Sequence, residues 1–214
     1  MIFLPGVVSR ISSKADMVVG GDARTQEVAV MFCDIRDFTG ITEKMPPAEV
    51  VRFLSQYHAL MVEVIFAFGG TIDKFIDDAI MVTFGTPDPS ADDAERSVRA
   101  ALAMNTALTE LNTDRERRGL SAIRHGIGIH FGPVIAGNIG TEDRLEYTVI
   151  GDTVNVARRI QDACKSVGEG QLISDAVQQR LPPDIAVSPL PERHVKGRQA
   201  PVQIYVVNGL AGPG

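Results

Sequence analysis

The chain has 214 residues with 21 Lys+Arg against 27 Asp+Glu, a formal charge of −6, and 44% of its residues are hydrophobic. That length and composition fit one domain able to bury a core, and an acidic balance without a Lys/Arg block argues against nucleic acid or an anionic membrane surface as partner. Two cysteines, Cys33 and Cys164, exclude a disulfide framework and a Cys-based zinc site, and they make a reducing cytoplasmic setting the default expectation.

Residues 1–25 show no sustained period and read as a linker or lead-in to a folded unit over 26–208, with 209–214 as a flexible Gly/Pro-punctuated tail. The longest apolar stretch, Ala59–Phe68, is interrupted by Glu63, whereas a bilayer-spanning helix needs about 20 predominantly apolar residues. Val28–Cys33 is a short continuous apolar run, as for a strand buried on both faces, and it stops at Asp34. Pro46-Pro47 opens a long helix whose apolar stripe includes Val50, Phe53, Tyr57, Met61 and Ile65, and Gly69-Gly70 ends it. Thr71–Ile76 and Ala79–Phe84 form two strands around Asp77-Asp78, the spacing of a hairpin. Ser90 with Asp93 resembles a capping box for a second helix.

Further on, Ile127, Ile129 and Phe131 alternate as a strand, and Gly132-Pro133 reads as a turn into Val134–Ile139, which pairs with Leu145–Ile150. Asp152 caps a third helix to about Cys164, and a last hairpin joins Arg193–Lys196 to Val202–Val207 through Gly197–Ala200. This order predicts an α+β fold, a mainly antiparallel sheet covered by helices with ferredoxin-like β-α-β-β-α-β wiring.

Three segments carry chemistry. Asp34 ends a buried strand and Asp78 sits at the next hairpin tip; if those strands are neighbours, two carboxylates emerge at one sheet edge and suit a hard divalent cation. Singly, each is equally an ordinary turn residue. After Asp34, the stretch Ile35-Arg36-Asp37-Phe38-Thr39-Gly40 leads from a strand into a helix start, where free N–H groups attract phosphate. No Walker loop occurs in the sequence. Asn155 and Arg159 are four residues apart and share one helical face, which suits a sugar oxygen and a charged phosphoryl oxygen, or simply solvent. The histidines His58, His125, His130 and His194 lack a paired nucleophile and read as structural or surface residues.

Taken together, Asp-Ile-Arg-Asp-Phe-Thr, Asp-Lys-Phe-Ile-Asp-Asp and Tyr-Thr-Val-Ile-Gly-Asp-Thr-Val-Asn-Val-Ala-Arg-Arg, in that order, resemble the class III adenylyl/guanylyl cyclase catalytic domain over about Glu27 to Val207. The resemblance implies an adenylyl cyclase that converts ATP to cyclic AMP and pyrophosphate, using two Mg²⁺ or Mn²⁺ ions per site. By position it implies Asp34, the Ile35 carbonyl and Asp78 as metal ligands, and Lys74 with Thr148 as readers of the purine. Phosphate contacts fall at Phe38 and Thr39, ribose contact at Asn155, and α-phosphoryl stabilisation at Arg159. By the same resemblance Lys196 looks like the lysine that holds the triphosphate, with Arg198 a second candidate.

It implies a homodimer with two shared sites, the hairpin arm Val134–Ile150 contributing to the contact, and a regulatory domain elsewhere in the parent protein. No membrane contact is expected of this domain. Two alternatives are a non-catalytic nucleotide-binding or dimerisation module and a guanylyl cyclase. Intact Asp34, Asp78, Asn155 and Arg159 argue against the first, and Lys74 against the second. One departure is Asp77, where many relatives have glycine; it is expected to point into solvent.

Overall fold

The computed structural model describes residues 23–43, 45–141, 144–191 and 202–211. Eight strands form one sheet: β1 (Arg24–Ile35), β2 (Thr71–Ile76), β3 (Ala79–Phe84), β4 (His125–Thr141), β5 (Arg144–Ile150), β6 (Gln171–Ser174), β7 (Ile185–Pro189) and β8 (Ile204–Leu210). The helices are α1 (Phe38–Thr42), α2 (Pro47–Ala67), α3 (Asp93–Arg117), α4 (Asp152–Val167) and α5 (Asp175–Gln178). Strand order is β2-β3-β1-β4-β6-β8-β7, with β5 paired to β4 alone. Only β4–β6 is parallel among the described pairings. The first four strands, in order β2-β3-β1-β4 with α2 and α3 between them, are the ferredoxin-like unit the sequence predicts.

β1 is buried on both faces because its residues feed two cores by alternation. Ala29, Met31, Cys33 and Ile35 join one cluster with Phe53, Tyr57, Met61 and Ile65 of α2 and Val98, Ala101 and Met104 of α3. Val28, Val30 and Phe32 face the other way, toward Ala157 and Val154 of α4. The four buried residues of α2 recur every four positions, so one stripe docks the helix, each side chain contributing about 2 kcal/mol of burial. By length and composition alone α2 is long and apolar enough to cross a bilayer, since apolar residues continue on both sides of Glu63; here its stripe packs on the sheet.

A buried polar chain threads the first core. The Cys33 thiol lies 3.1 Å from the Tyr57 hydroxyl, which lies 3.0 Å from His125 Nδ1, and His125 Nε2 lies 2.7 Å from Asn105 Oδ1. Asn105 Oδ1 can only accept, so Nε2 carries the imidazole proton, Nδ1 accepts from Tyr57, and the ring stays neutral. Burial, with a smaller contribution from the Arg36 charge, lowers the His125 pKa to about 4.

Four readings of the sequence change. Gly132-Pro133 is not a turn: β4 runs through it for 17 residues, with Gly132 opposite Val28 and Pro133 opposite Glu27 on β1. Proline breaks a ladder only on its N–H side, so the strand survives. β6, α5 and β7 were not foreseen, because β6 offers only Leu172-Ile173 as an apolar signal. The predicted partner of Val202–Val207, Arg193–Lys196 with its turn, lies outside the described residues; among the described strands β8 pairs with β6 and β7. β8 includes Gly209 and Leu210, so these two belong to the sheet rather than to a tail, and Ala211 N–H bonds the Asp184 carbonyl at 2.7 Å just beyond it. At the other end, Arg24 and Thr25 already belong to β1 rather than to a lead-in segment.

The glycines of β4 position α4. Gly126, Gly128 and Gly132 share one face of the strand, and a Cβ on Gly128 would stand 2.1 Å from the Gln161 backbone nitrogen. Helix and strand therefore touch backbone to backbone at this point. Sequence periodicity gave the Ile127/Ile129/Phe131 face, and the opposite face is the glycine seat for α4.

Candidate active site

The chain end of β1 and the β2–β3 turn meet as expected: β1 pairs with β3 from Ala29↔Phe84 to Cys33↔Ile80, which brings Asp34 beside Asp78. The two carboxyls lie within hydrogen-bonding reach. Burial, then the Asp78 bond and charge, then the Asp162 charge raise the Asp34 pKa to about 7, while Arg158 opposes the shift. Two carboxylates that hold each other at this distance either share a proton or surround a cation. Asp77, preceding Asp78, is exposed and has a left-handed φ of 54°. The turn geometry explains why glycine suits that position, and the side chain lies in solvent.

No group of three or more His, Cys, Asp or Glu gathers around a cation-sized gap among the described residues. Asp34 and Asp78 thus offer hard oxygen ligands for a cation whose remaining ligands are backbone, water or substrate oxygens. That pattern fits Mg²⁺ or Mn²⁺ better than an all-protein cage does. Ile35 continues the ladder opposite His125 with its side chain in the core, so only its carbonyl is a candidate ligand.

Next comes α1, five residues long. Its N-cap, Asp37, is left-handed with φ 56° and makes no side-chain cap. Thr39 is exposed, whereas the Phe38 ring stacks on Phe53 at 6.3 Å and packs against the core. Of Phe38, only the backbone is available to a phosphate.

Lys74 and Thr148 are 74 positions apart in sequence and meet at a residue that sequence reasoning missed. Asp73, its side chain only 3% exposed, accepts from the Thr148 hydroxyl at 2.9 and 2.8 Å through its two oxygens, and from Val149 N–H at 3.3 Å. Lys74 Nζ lies 3.3 Å from the same carboxylate and is 38% exposed. The available signal was an acid interrupting the apolar alternation of Thr71-Ile72-Asp73-Lys74-Phe75-Ile76.

On α4, Thr153, Val156, Ala157, Ile160, Gln161 and Cys164 are buried. Asn155 is exposed and Arg159 half-buried on the opposite side. Arg159 Nη1 is fully buried and has no hydrogen-bond partner among the described residues. A buried guanidinium N–H without an acceptor is costly unless an anion completes it. Lys196 and Arg198 lie outside the described residues.

The cysteines are chemically quiet. Burial pushes Cys33 and Cys164 up to about 12, so neither carries a useful thiolate population near neutrality.

Residues 22–209 match the adenylate and guanylate cyclase catalytic domain, and the chain belongs to that family. It is 37% identical over 209 residues to adenylate cyclase 1 of Rhizobium meliloti (strain 1021), covering 98% of this chain and 31% of that protein. Against an adenylate cyclase of Anabaena cylindrica it is 40% identical over 194 residues, 87% of this chain and 38% of the relative. The chain therefore spans about a third of the length of these relatives. Its fold superposes on the crystal structure of the adenylyl cyclase CyaB from P. aeruginosa with a TM-score of 0.81 at 32% identity, covering 87% and 95% of the two chains. The guanylyl cyclase Cya2 gives 0.78 at 35% identity, covering 89% and 96%. Overall likeness thus does not separate adenine from guanine specificity.

Proposed function

We propose that this domain is an adenylyl cyclase, closing the ribose 3′-hydroxyl of ATP onto the α-phosphorus and expelling pyrophosphate, at sites shared between two copies of the chain. The observation that carries the reading is the convergence of Lys74 and Thr148 on one buried carboxylate. A lysine can only donate hydrogen bonds, and adenine offers a ring-nitrogen acceptor beside an amino donor. Guanine presents a ring N–H at the corresponding position and would oppose the ammonium. The adenylate cyclase relatives support the same choice.

Asp34 and Asp78, with the Ile35 carbonyl, hold two Mg²⁺ or Mn²⁺ ions in this reading. Bound there, such ions supply the charge that acidifies the 3′-hydroxyl and neutralises the triphosphate. Arg159 donates its unpaired Nη1–H to an oxygen of the α-phosphoryl as charge develops in the transition state. Asn155, one turn before it, orients the ribose. Lys196 binds the triphosphate, and the N–H groups of Phe38 and Thr39 receive a phosphate oxygen.

Sharing between subunits is supported by two features. Asp34–Asp78 and Asp73–Lys74–Thr148 exchange no hydrogen bond or ion pair among the described residues. The arm also exposes Ile135 and Ile150, which are cross-strand partners, while Phe75 of β2 is 49% exposed; such outward apolar groups fit a C₂ contact. A regulatory domain elsewhere in a longer protein is part of the same proposal, as is a cytoplasmic location.

The test is incubation of purified protein with ATP or GTP and Mg²⁺ or Mn²⁺, followed by quantification of both cyclic nucleotides. Predominant cyclic AMP is expected. Predominant cyclic GMP would overturn the base assignment, and no turnover of either nucleotide would favour a non-catalytic module.

A further inference from the structure

Asp73 occupies an unusual place in its strand. On β2, Ile72 stands opposite Val82 and Lys74 opposite Met81, so Asp73 is the extra residue of a β-bulge with no partner on β3. A bulge re-aims the side chain it carries, and here the carboxylate is turned inward to β5. Burying a carboxylate is expensive unless its lone pairs are taken up. Thr148 Oγ1, Val149 N–H and Lys74 Nζ take them up.

This arrangement fixes the direction of each hydrogen bond. A threonine hydroxyl has one proton and two lone pairs. Asp73 has no proton to give as a carboxylate, so the Thr148 proton is committed to it and the Thr148 oxygen can offer a ligand only lone pairs. The same carboxylate draws the Lys74 ammonium toward the Thr148 side, where it donates. A ligand therefore meets one acceptor and one donor side by side. Adenine complements that pair with its amino group and its ring nitrogen; guanine, with a carbonyl and a ring N–H, reverses both.

We propose that Asp73, without touching the base, is the positioning residue that sets the hydrogen-bond polarity of the purine pocket and thereby selects ATP over GTP. The inference rests on the assignment of Lys74 and Thr148 as base readers. It adds that their selectivity is not intrinsic to the two side chains: a threonine free to rotate could donate to a guanine carbonyl as readily as it accepts from an adenine amino group.

The test is the ratio of kcat/KM for ATP to that for GTP in three proteins: the unaltered chain, Asp73→Asn and Lys74→Ala. The amide of Asp73→Asn can donate to Thr148 and release its proton toward the ligand. The ratio is expected to fall about tenfold to a hundredfold, through loss with ATP and gain with GTP. If Asp73 only staples β2 to β5, kcat/KM falls equally for both nucleotides, the ratio holds, and the proposal is overturned. Lys74→Ala separates the two levels of the argument. A ratio that moves in Lys74→Ala but holds in Asp73→Asn sinks only the role of Asp73, whereas a ratio that holds in both variants sinks the base assignment as well. Should Asp73→Asn not fold, the same ratio is read in Asp73→Ser, whose shorter side chain also frees the Thr148 proton.

Discussion

Asp73 and Asp78 lie five residues apart on one hairpin, and the fold treats their charges differently. The Asp73 carboxylate is buried and answered by a hydroxyl, an amide N–H and an ammonium from its own chain. Asp78 faces a second carboxylate, Asp34, whose pKa is raised to about 7 by burial first and by the Asp78 bond and charge second. A carboxylate whose lone pairs are taken up organises its neighbours; a pair of carboxylates facing each other raises the cost of ionising both. The same residue type is thus satisfied from within the chain on β2 and set against a like charge at the turn that follows, and the difference lies in what the fold brings opposite it.

The largest expected effect comes from changing one member of the Asp34–Asp78 pair. Asp34→Asn should lower cyclase activity by about 10³-fold or more while raising resistance to urea in EDTA at pH 8, because it removes a like-charge contact. Lower stability in EDTA would show that the two carboxylates do not repel each other in the metal-free fold. Arg159 is the cationic counterpart, its buried Nη1 without a hydrogen-bond partner among the described residues. Arg159→Ala should reduce kcat by about 10² to 10³-fold, with KM for ATP changed only a few-fold in steady-state assays. A rise in KM at constant kcat would mean that it binds the ground state equally well.

A smaller effect comes from the polar chain behind Asp34. The His125 pKa is lowered to about 4 from an ordinary value near 6.5, so the unfolded chain binds more protons between those limits and stability falls as pH drops through that window. Asp34 runs the opposite way: its raised pKa makes the metal-free folded state bind the extra proton, so its contribution is lost as pH rises from the ordinary carboxylate range through about 7. Comparison with His125→Gln cancels the Asp34 contribution. The wild type should lose about 2 kcal/mol more than the variant between pH 7 and pH 5, read from urea melts; equal losses would contradict a neutral, buried His125.

What the sequence made legible follows from how local each signal is. β1, α2 and the β2–β3 hairpin stand out because periodicity and turn spacing are written in consecutive residues. Asp34 and Asp78 follow because each ends or turns a recognisable strand. Asp73 was not legible, since its meaning depends on a bulge and on Thr148, 75 positions away. The continuation of β4 through Gly132-Pro133 was hidden for a related reason: Gly-Pro is a turn signal locally, and here the glycine makes room for α4 instead, with Thr153 Oγ1 2.9 Å from where its Cβ would stand. Arg159 was legible as a helical neighbour of Asn155, but its unpartnered, buried nitrogen appears only once α4 is seated.

The central claim is that carboxylates from one copy serve a nucleotide gripped by another, and subunit mixing tests it most directly. Asp34→Ala and Asn155→Ala homodimers should each be inactive. Mixed in equal amounts they should recover roughly a quarter of wild-type activity, since about half of the dimers are mixed and each contains one intact site of two. Failure to recover any activity, with mixed dimers demonstrated by differential tagging, would contradict the shared site.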